Sequence, residues 1–143
     1  MRTLHVGLRV ADLDRSLAFY TAVGYEVVGN VPDTPLGRLT MLKLPGDEFV
    51  TIELVHDPSG APFAVGDGLS HFVIQVESMD ATVAHLTSVG IDVETPTSPD
   101  DSDTFFTAHV GDPDGYTIEL VQWPAGHADG MSAADFAANA GEE

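Results

Sequence analysis

The pentapeptide Thr-Ile-Glu-Leu-Val occurs twice in this chain, at residues 51–55 and again at 117–121, an offset of 66 positions. The same offset places the segment His-Val-Gly-Leu-Arg-Val, 5–10, on the segment His-Phe-Val-Ile-Gln-Val, 71–76. Because one constant offset relates both ends of a unit, we interpret the chain as two copies of one structural module.

Each copy has the pattern of a strand, a helix and three further strands. The first strand alternates apolar and other residues, and the segment that follows repeats apolar residues with helical spacing. Asp12 and Ser78 are suited to cap the N-termini of the two helices, and Gly24 and Gly90 their C-termini. The strands are predicted at 4–10, 25–31, 39–44 and 49–56 in the first copy and at 70–76, 91–95, 104–110 and 116–122 in the second.

These patterns predict an α+β fold of two tandem βαβββ modules that form a curved mixed sheet around a pocket. We expect the first module to cover residues 1–57 and the second to cover 70–124. A linker rich in Gly and Pro, 58–69, joins them. A tail follows at 125–143, and a short helix is predicted within it at 132–138.

Composition excludes several classes of function. The chain has 143 residues, a net charge of −18 and no Cys, and all five of its Lys and Arg residues precede residue 44. So acidic a chain lacks the basic face that nucleic acid or an anionic membrane requires. No apolar run reaches the ~20 residues of a membrane helix, and the N-terminus enters a strand pattern directly, so we expect a cytoplasmic protein without a signal peptide. Without Cys, a metal has to be bound by His, carboxylate, carbonyl oxygen or water.

Each module contributes one His and one Glu from its strands. Side chains alternate between the two faces of a strand, so Glu53 and Glu119, whose neighbours are apolar, are predicted to point away from the helix. His5 and His71 are predicted to point the same way. A single His or Glu in a strand is usually a surface or core residue, but here both recur at one offset. Two imidazoles and two carboxylates, completed by water, suit a six-coordinate divalent ion, so we predict that the pocket binds a metal.

The other His residues do not recur at this offset. His85 lies on a predicted helix and His127 in the tail, and both are expected at the surface. His109 falls on Lys43 at the offset of 66, and we predict that both residues contact the substrate in the pocket.

These features resemble the vicinal oxygen chelate superfamily, which includes glyoxalase I, extradiol dioxygenases, and fosfomycin and bleomycin resistance proteins. The start of the chain, with His5 and the segment 14–21, is similar to the start of short bacterial glyoxalase I. The segment Asp-Pro-Asp-Gly-Tyr, 112–116, is similar to its last hairpin. The order His, Glu, His, Glu also resembles glyoxalase I more than the other members, and the resemblance covers residues 1–124.

The resemblance implies that the chain isomerises a hemithioacetal of a 2-oxoaldehyde and a thiol to a 2-hydroxyacyl thioester, through an enediolate. It implies one nickel, zinc or cobalt ion per site, bound by His5, Glu53, His71 and Glu119. It also implies that Glu119 is the catalytic base that moves the proton, with Glu53 as its symmetric counterpart. A homodimer with its sites at the interface is expected on the same ground.

The resemblance further implies that Arg9 occupies the position that binds the γ-glutamyl carboxylate of glutathione. Two other positions depart from the family pattern, because Asp57 stands where an Asn is usual and the acidic segment 100–103 stands where a basic group is usual. These carboxylates repel glutathione, which carries two of its own, so we predict a small-molecule substrate with a different thiol. The alternatives are a binding or resistance protein whose His–Glu pairs are vestigial, and a dioxygenase-type metal enzyme on the same scaffold.

Overall fold

A computed structural model of the chain describes residues 1–137. A short 3₁₀ helix, Ala133–Phe136, lies in the predicted tail, whereas residue 138 of the predicted tail helix and the remainder of the tail lie outside the described residues. None of the helices within 1–137 has the length and apolar character needed to cross a bilayer. The other elements, in chain order, are β1 (Val6–Arg9), α1 (Leu13–Val23), β2 (Glu26–Thr34), β3 (Gly37–Lys43), β4 (Ile52–His56), β5 (Phe72–Gln75), α2 (Met79–Ser88), β6 (Phe106–Gly111) and β7 (Thr117–Gln122).

The strands form two sheets with the same internal order. The first has four strands in the order β1-β4-β3-β2, and the second has three in the order β5-β7-β6. In each sheet the first strand of the module pairs in parallel with the last, and the remaining pairs are antiparallel. The predicted α+β class with mixed sheets is therefore confirmed.

The strand predicted at 91–95 is wrong, so the second module is βαββ rather than βαβββ. This segment runs beside β6 and makes only isolated contacts with it. The Glu94 amide donates to the His109 carbonyl at 3.0 Å, and Thr97 forms a single bridge with Thr107. Between them lies Pro96, which has no amide N–H and interrupts the ladder.

The hairpin of β2 and β3 is longer than predicted. Thr34 pairs with Gly37 across a two-residue turn, and the Thr34 hydroxyl donates to the Gly37 carbonyl at 2.7 Å. Gly37 has a φ of 110°, and a Cβ there would lie 2.3 Å from the carbonyl oxygen of His56. The close approach of β3 to β4 at this end therefore requires glycine.

The helices begin as predicted and cover the apolar faces of the sheets. The side chains of Asp12 and Ser78 accept hydrogen bonds from backbone amides in the first turns of α1 and α2, which confirms both N-caps. Leu4 and Val6 alternate with His5, which is predicted to point away from the helix, so the same pattern predicts them on the packed face of the first strand. They are instead 52% and 45% exposed. Val6 lines an open groove of about 690 Å³ beside β5. The core is one continuous cluster whose fully buried members include Val10, Tyr20, Leu42, Leu54, Met79, Leu86, Ala108, Ile118 and Leu120.

The turn between β6 and β7 joins the second module to the first. The Tyr20 hydroxyl on α1 donates to Asp112 Oδ2 at 2.7 Å, while Asp112 Oδ1 accepts from the backbone amides of Asp114 and Tyr116. Asp114 Oδ1 in turn accepts from the Ala11 amide at 3.0 Å. These bonds lock the two modules together at one end of β1 and α1.

Candidate metal centre

The first pair of candidate ligands comes from two neighbouring parallel strands. Glu53 lies between Ile52 and Leu54, which are buried on the helix side of β4, so its side chain points to the opposite face. His5 directly precedes β1, and its Nε2 is 3.0 Å from Glu53 Oε2. The two side chains are 33% and 14% exposed, so the pair is accessible to a ligand.

The second pair repeats this arrangement in the second module. Glu119 lies in β7 between two buried residues and pairs in register with Val73 of β5. His71 directly precedes β5, and its Nε2 is 3.0 Å from Glu119 Oε2. The Ser70 hydroxyl lies 2.8 Å from His71 Nδ1, so both ring nitrogens of this histidine have a polar partner.

The spacing within each pair fits two neighbouring ligands of one metal ion. Donor atoms about 2.1 Å from an ion and at right angles to one another are about 3.0 Å apart, and both pairs have a 3.0 Å N–O separation. Imidazole and carboxylate are also donor types that borderline divalent ions accept. Each module therefore presents two donors suited to one half of a metal centre.

The four candidate ligands do not converge within the chain. Among residues 1–137, no group of three or more His, Cys, Asp or Glu side chains is placed to hold a metal ion. The structure brings His5 to Glu53 and His71 to Glu119, and it leaves the two pairs apart.

The predicted equivalence of His109 and Lys43 is wrong. His109 pairs with Glu119 across β6 and β7, and the residue that pairs with Glu53 across β3 and β4 is Met41. The connection between these antiparallel strands is two residues longer in the first module, so the offset for β3 and β6 is 68 rather than 66. His109 therefore lies beside the Glu119 pair, and its Nδ1 is 3.2 Å from Glu94 Oε2.

Lys43 is the last residue of β3. By strand alternation it lies on the same face of the sheet as Glu53, but its side chain is hydrogen-bonded to the turn that follows. Its ammonium donates to the Asp47 carbonyl at 3.3 Å, in the turn that follows β3. This bond directs the charge toward the turn.

Arg9 lies on the same face as the first pair. It is in register with Val55, two positions along β4 from Glu53. Its side chain lines a cavity of about 550 Å³ whose other walls are the linker residues 60–63 and the carboxylates Asp57 and Asp114. Within residues 1–137 Arg9 makes no ion pair, since the four His–carboxylate pairs and Arg2–Glu48 are those that occur there. The guanidinium therefore shares this cavity with two carboxylates.

Several contacts on the second module were not predicted from the sequence. Trp123 stacks on Phe105 and on His127, and His127 also pairs with Asp135. Hydrogen bonding to the Ala128 carbonyl, together with Asp135, raises the pKa of His127. The tail has no counterpart in the first module, so the sequence repeat gave no signal for these contacts.

Comparison with known proteins assigns the chain to one superfamily. The sequence profile of the Glyoxalase/Bleomycin resistance protein/Dioxygenase superfamily matches residues 2–120. A probable lactoylglutathione lyase of Vibrio cholerae is 35% identical over 130 residues, which cover 89% of this chain and 94% of the relative.

Solved structures agree with the sequence comparison. Glyoxalase I from Zea mays superimposes with a TM-score of 0.73 at 28% identity, over 86% of this chain and 45% of that chain. The trypanothione-dependent glyoxalase I of Leishmania major superimposes with a TM-score of 0.69 at 31% identity, over 85% of this chain and 86% of that chain.

Proposed function

Because the chain belongs to the glyoxalase/bleomycin resistance protein/dioxygenase superfamily, we propose that it is a lactoylglutathione lyase-like enzyme that isomerises a 2-oxoaldehyde–thiol hemithioacetal. The observation that carries this proposal is the pair of equivalent His–Glu contacts, each 3.0 Å long and each on the sheet face opposite the helices. Two such pairs supply the two imidazoles and two carboxylates that the resemblance to glyoxalase I implies for a divalent ion.

The proposed metal ligands are His5, Glu53, His71 and Glu119, with one nickel, zinc or cobalt ion per site. When bound there, a divalent ion supplies positive charge for the two vicinal oxygens of the substrate. The absence of a larger ligand cluster within residues 1–137 supports a homodimer in which one chain donates its first pair and its partner the second. Such a site is incomplete without the second copy.

Glu119 is the proposed catalytic base. It accepts the proton from the sulfur-bearing carbon and returns it to the adjacent carbon, while the hydroxyl proton moves to the neighbouring oxygen. The product is a thioester of a 2-hydroxy acid with the same atoms as the substrate. His109, opposite Glu119 across β6 and β7, gives this carboxylate an imidazole neighbour, whereas Glu53 has Met41 in that position. Glu53 is the symmetric counterpart.

Arg9 is the proposed anchor for an anionic group of the thiol, because it lines a cavity, pairs with Val55 two positions along β4 from Glu53, and makes no ion pair within residues 1–137. Asp57 and Asp114 line the same cavity and Asp100, Asp101 and Asp103 follow in the second module. These charges support a thiol other than glutathione.

The proposal is tested by metal analysis followed by a hemithioacetal assay. We expect the purified full chain to retain about one nickel, cobalt or zinc ion per pair of modules and to turn over methylglyoxal hemithioacetals of at least one thiol. His71→Gln should lose both metal and activity. His56→Gln is the matched control, since His56 lies on β4 but on the opposite face from Glu53. If the chain binds none of the three ions, the proposal of a metal-dependent enzyme is wrong and the alternative of a binding protein is favoured.

A further inference from the structure

An open groove lies between β1 of the first module and β5 of the second. Val6 of β1 and Ile52 of β4 line one wall, and Phe72 and Ile74 of β5 line the other. We call this hollow the inter-module groove, and its volume is about 690 Å³. Pockets that bind small molecules have volumes of roughly 300–1,000 Å³. The four proposed metal ligands are not among its lining residues, so a ligand in this groove is distinct from the metal centre.

The inter-module groove has an apolar lining that is partly open to water. Ile52 and Ile74 are buried, whereas Val6 and Val73 are 45% and 51% exposed. Within residues 1–137, β1 and β5 each pair with a neighbouring strand on one side only. A ligand whose apolar body lies between these two edges would remove the valine side chains from water, which is favourable.

The charged side chains that line the groove, among the residues that the structure describes, are all acidic. They are Asp47, Glu77 and Asp129. Asp47 is engaged in its own turn, where its carboxylate accepts two hydrogen bonds and the Lys43 ammonium donates to its carbonyl. Glu77 and Asp129 are therefore the two carboxylates that a ligand in the groove can contact without a competing cation, since neither makes an ion pair within residues 1–137.

Gln75, the last residue of β5, holds Asp129 at the groove. Its amide nitrogen donates to Asp129 Oδ1 at 2.7 Å, and its amide oxygen accepts from the Gly130 backbone amide at 2.8 Å. An amide neutralises none of the charge of a carboxylate, so Asp129 keeps its negative charge while its position is set by two bonds. Glu77 follows Gln75 by two residues and lines the same groove. The apolar walls thus end on two negative charges.

We propose that the inter-module groove binds a small molecule with an apolar body and one terminal amine. The body lies between β1 and β5, and the ammonium group donates charge-assisted hydrogen bonds to Glu77 and Asp129. A neutral end group loses the attraction of the two charges, and an anionic end group is repelled by them. This site uses none of the proposed metal ligands, so the inference does not depend on the proposed lyase activity.

The test uses three fluorescent probes that share a dansyl body and differ at the end of an alkyl chain. Monodansylcadaverine ends in an ammonium group, its N-acetyl derivative in a neutral amide, and N-dansyl-aminocaproate in a carboxylate. Dansyl emission rises when the ring leaves water, so titration with the full chain gives the Kd of each probe. The wild type is compared with Glu77→Gln, with Asp129→Asn, which still accepts from Gln75, and with Asp67→Asn. Asp67, an exposed carboxylate of the linker, is the matched control for loss of one charge.

We expect the wild-type chain to bind the amine about tenfold more tightly than the acetylated probe, and the carboxylate probe more weakly than either. Glu77→Gln and Asp129→Asn should each reduce the preference for the amine to about threefold or less without changing the Kd of the acetylated probe. Asp67→Asn should leave all three values unchanged. Equal affinities for the amine and the acetylated probe in the wild type, or the same loss of preference in Asp67→Asn, overturn the inference.

A substitution in the apolar wall shows whether the probe lies in the groove. Val6→Ser replaces an exposed apolar side chain of the groove and should weaken the binding of all three probes by about threefold or more. Val89→Ser is the matched control, because Val89 is 47% exposed and lies after α2, outside the lining of the groove. Equal effects of the two substitutions contradict the assignment of the probe to the groove.

A second copy of the chain is the competing occupant of the groove. Sedimentation velocity of the wild type and Val6→Ser, with and without monodansylcadaverine, separates the two. We expect the probe to bind with the same sedimentation coefficient in its presence and absence. If the probe does not bind and Val6→Ser lowers the fraction of dimer, the groove is covered by a second copy and the inference is wrong.

Discussion

Ser70 makes the two histidines of the candidate centre unequal. Its hydroxyl is 2.8 Å from His71 Nδ1, and the other ring nitrogen faces Glu119. At the equivalent position before His5 the chain has Leu4, which has no polar atom in its side chain. A second polar partner fixes the ring orientation of a metal-binding histidine, and a hydroxyl can act as donor or acceptor as the tautomer requires.

Replacing Ser70 should therefore weaken metal binding. We expect Ser70→Ala to raise the dissociation constant for nickel by about tenfold, measured by competition with a chelator of known affinity, and Ser70→Thr to restore it. Leu4→Ser adds a hydroxyl before His5 and should leave affinity unchanged or raise it. Equal affinities in the wild type and Ser70→Ala would remove Ser70 from the positioning of His71.

Substitutions of Glu119 and Glu53 should differ in their effects on kcat. If Glu119 moves the proton, Glu119→Gln lowers kcat by at least about 100-fold even in molecules that retain metal. Glu53→Gln, at the same position of the first module, should lower kcat less once activity is expressed per bound ion. Both values come from turnover normalised to metal content. Equal residual activity per ion in the two variants contradicts the assignment of Glu119 as the base.

Among the elements, the turn from Asp112 to Tyr116 connects the two modules. Burial raises the pKa of Asp112, and it outweighs the opposing hydrogen bonds from Tyr20 and the Tyr116 amide. Burial likewise raises the pKa of Tyr20, with the Asp112 charge next in effect. Tyr20 therefore remains a neutral donor to Asp112 at all ordinary pH values.

The Asp112 carboxyl predicts a particular pH dependence of stability. A carboxyl with a higher pKa in the folded state stabilises the fold below its ordinary pKa of 3.8, and this contribution is lost as pH rises through the folded value. Asp112→Asn removes the titration but keeps an acceptor for Tyr20. The free energy of unfolding in urea, measured from about pH 3 upward through the ordinary value of 3.8, should fall with rising pH in the wild type relative to the variant. If the free energy of unfolding changes equally with pH in the wild type and in Asp112→Asn, the raised pKa of Asp112 is contradicted.

The hydrogen bond of Tyr20 itself should contribute measurably to the junction between modules. Tyr20→Phe leaves a buried carboxylate oxygen without its donor, which costs about 1–3 kcal/mol in the free energy of unfolding. Thr21→Val, on the adjacent exposed position of α1, is the control for a change in the same helix. A loss in Tyr20→Phe no larger than in the control would show that water replaces the hydroxyl.

For the whole molecule, the separation of the two His–Glu pairs makes the source of the ligands testable. His5→Gln and His71→Gln chains should each be inactive alone. If each site takes one pair from each copy, a heterodimer of the two variants retains one intact site. A mixture produced by co-expression should then recover about a quarter of wild-type activity, because half of the dimers are mixed and each has one site.

A site built within a single chain gives the opposite result. Every chain in the mixture then lacks one histidine, and no activity is recovered. Mixing of the separately tagged chains, followed by tandem purification, confirms that heterodimers have formed before the assay. Complementation thus decides between one chain and two without a further structure.

The superfamily and the duplicated α+β fold could be predicted from the sequence, and both are confirmed. The helix caps at Asp12 and Ser78 and the outward direction of Glu53 and Glu119 depend on residues close together in the chain, and the offset of 66 residues is found by comparing the sequence with itself. Strand alternation and helix capping are local effects, so consecutive residues are sufficient to predict them. The four metal ligands remain a prediction of the same kind.

The tertiary structure decided what depends on residues far apart in the chain. Pairing across β6 and β7 placed His109 beside Glu119, because a connection two residues shorter shifts the register. The alternation at 91–95 predicted a strand, but this segment makes only isolated contacts with β6, and Pro96 directly after it cannot donate to the ladder. The separation of the two His–Glu pairs and the contact of Asp129 with Gln75 follow from how the two sheets and the C-terminal segment pack together. Packing depends on residues throughout the chain, so a local sequence pattern is not sufficient to predict it.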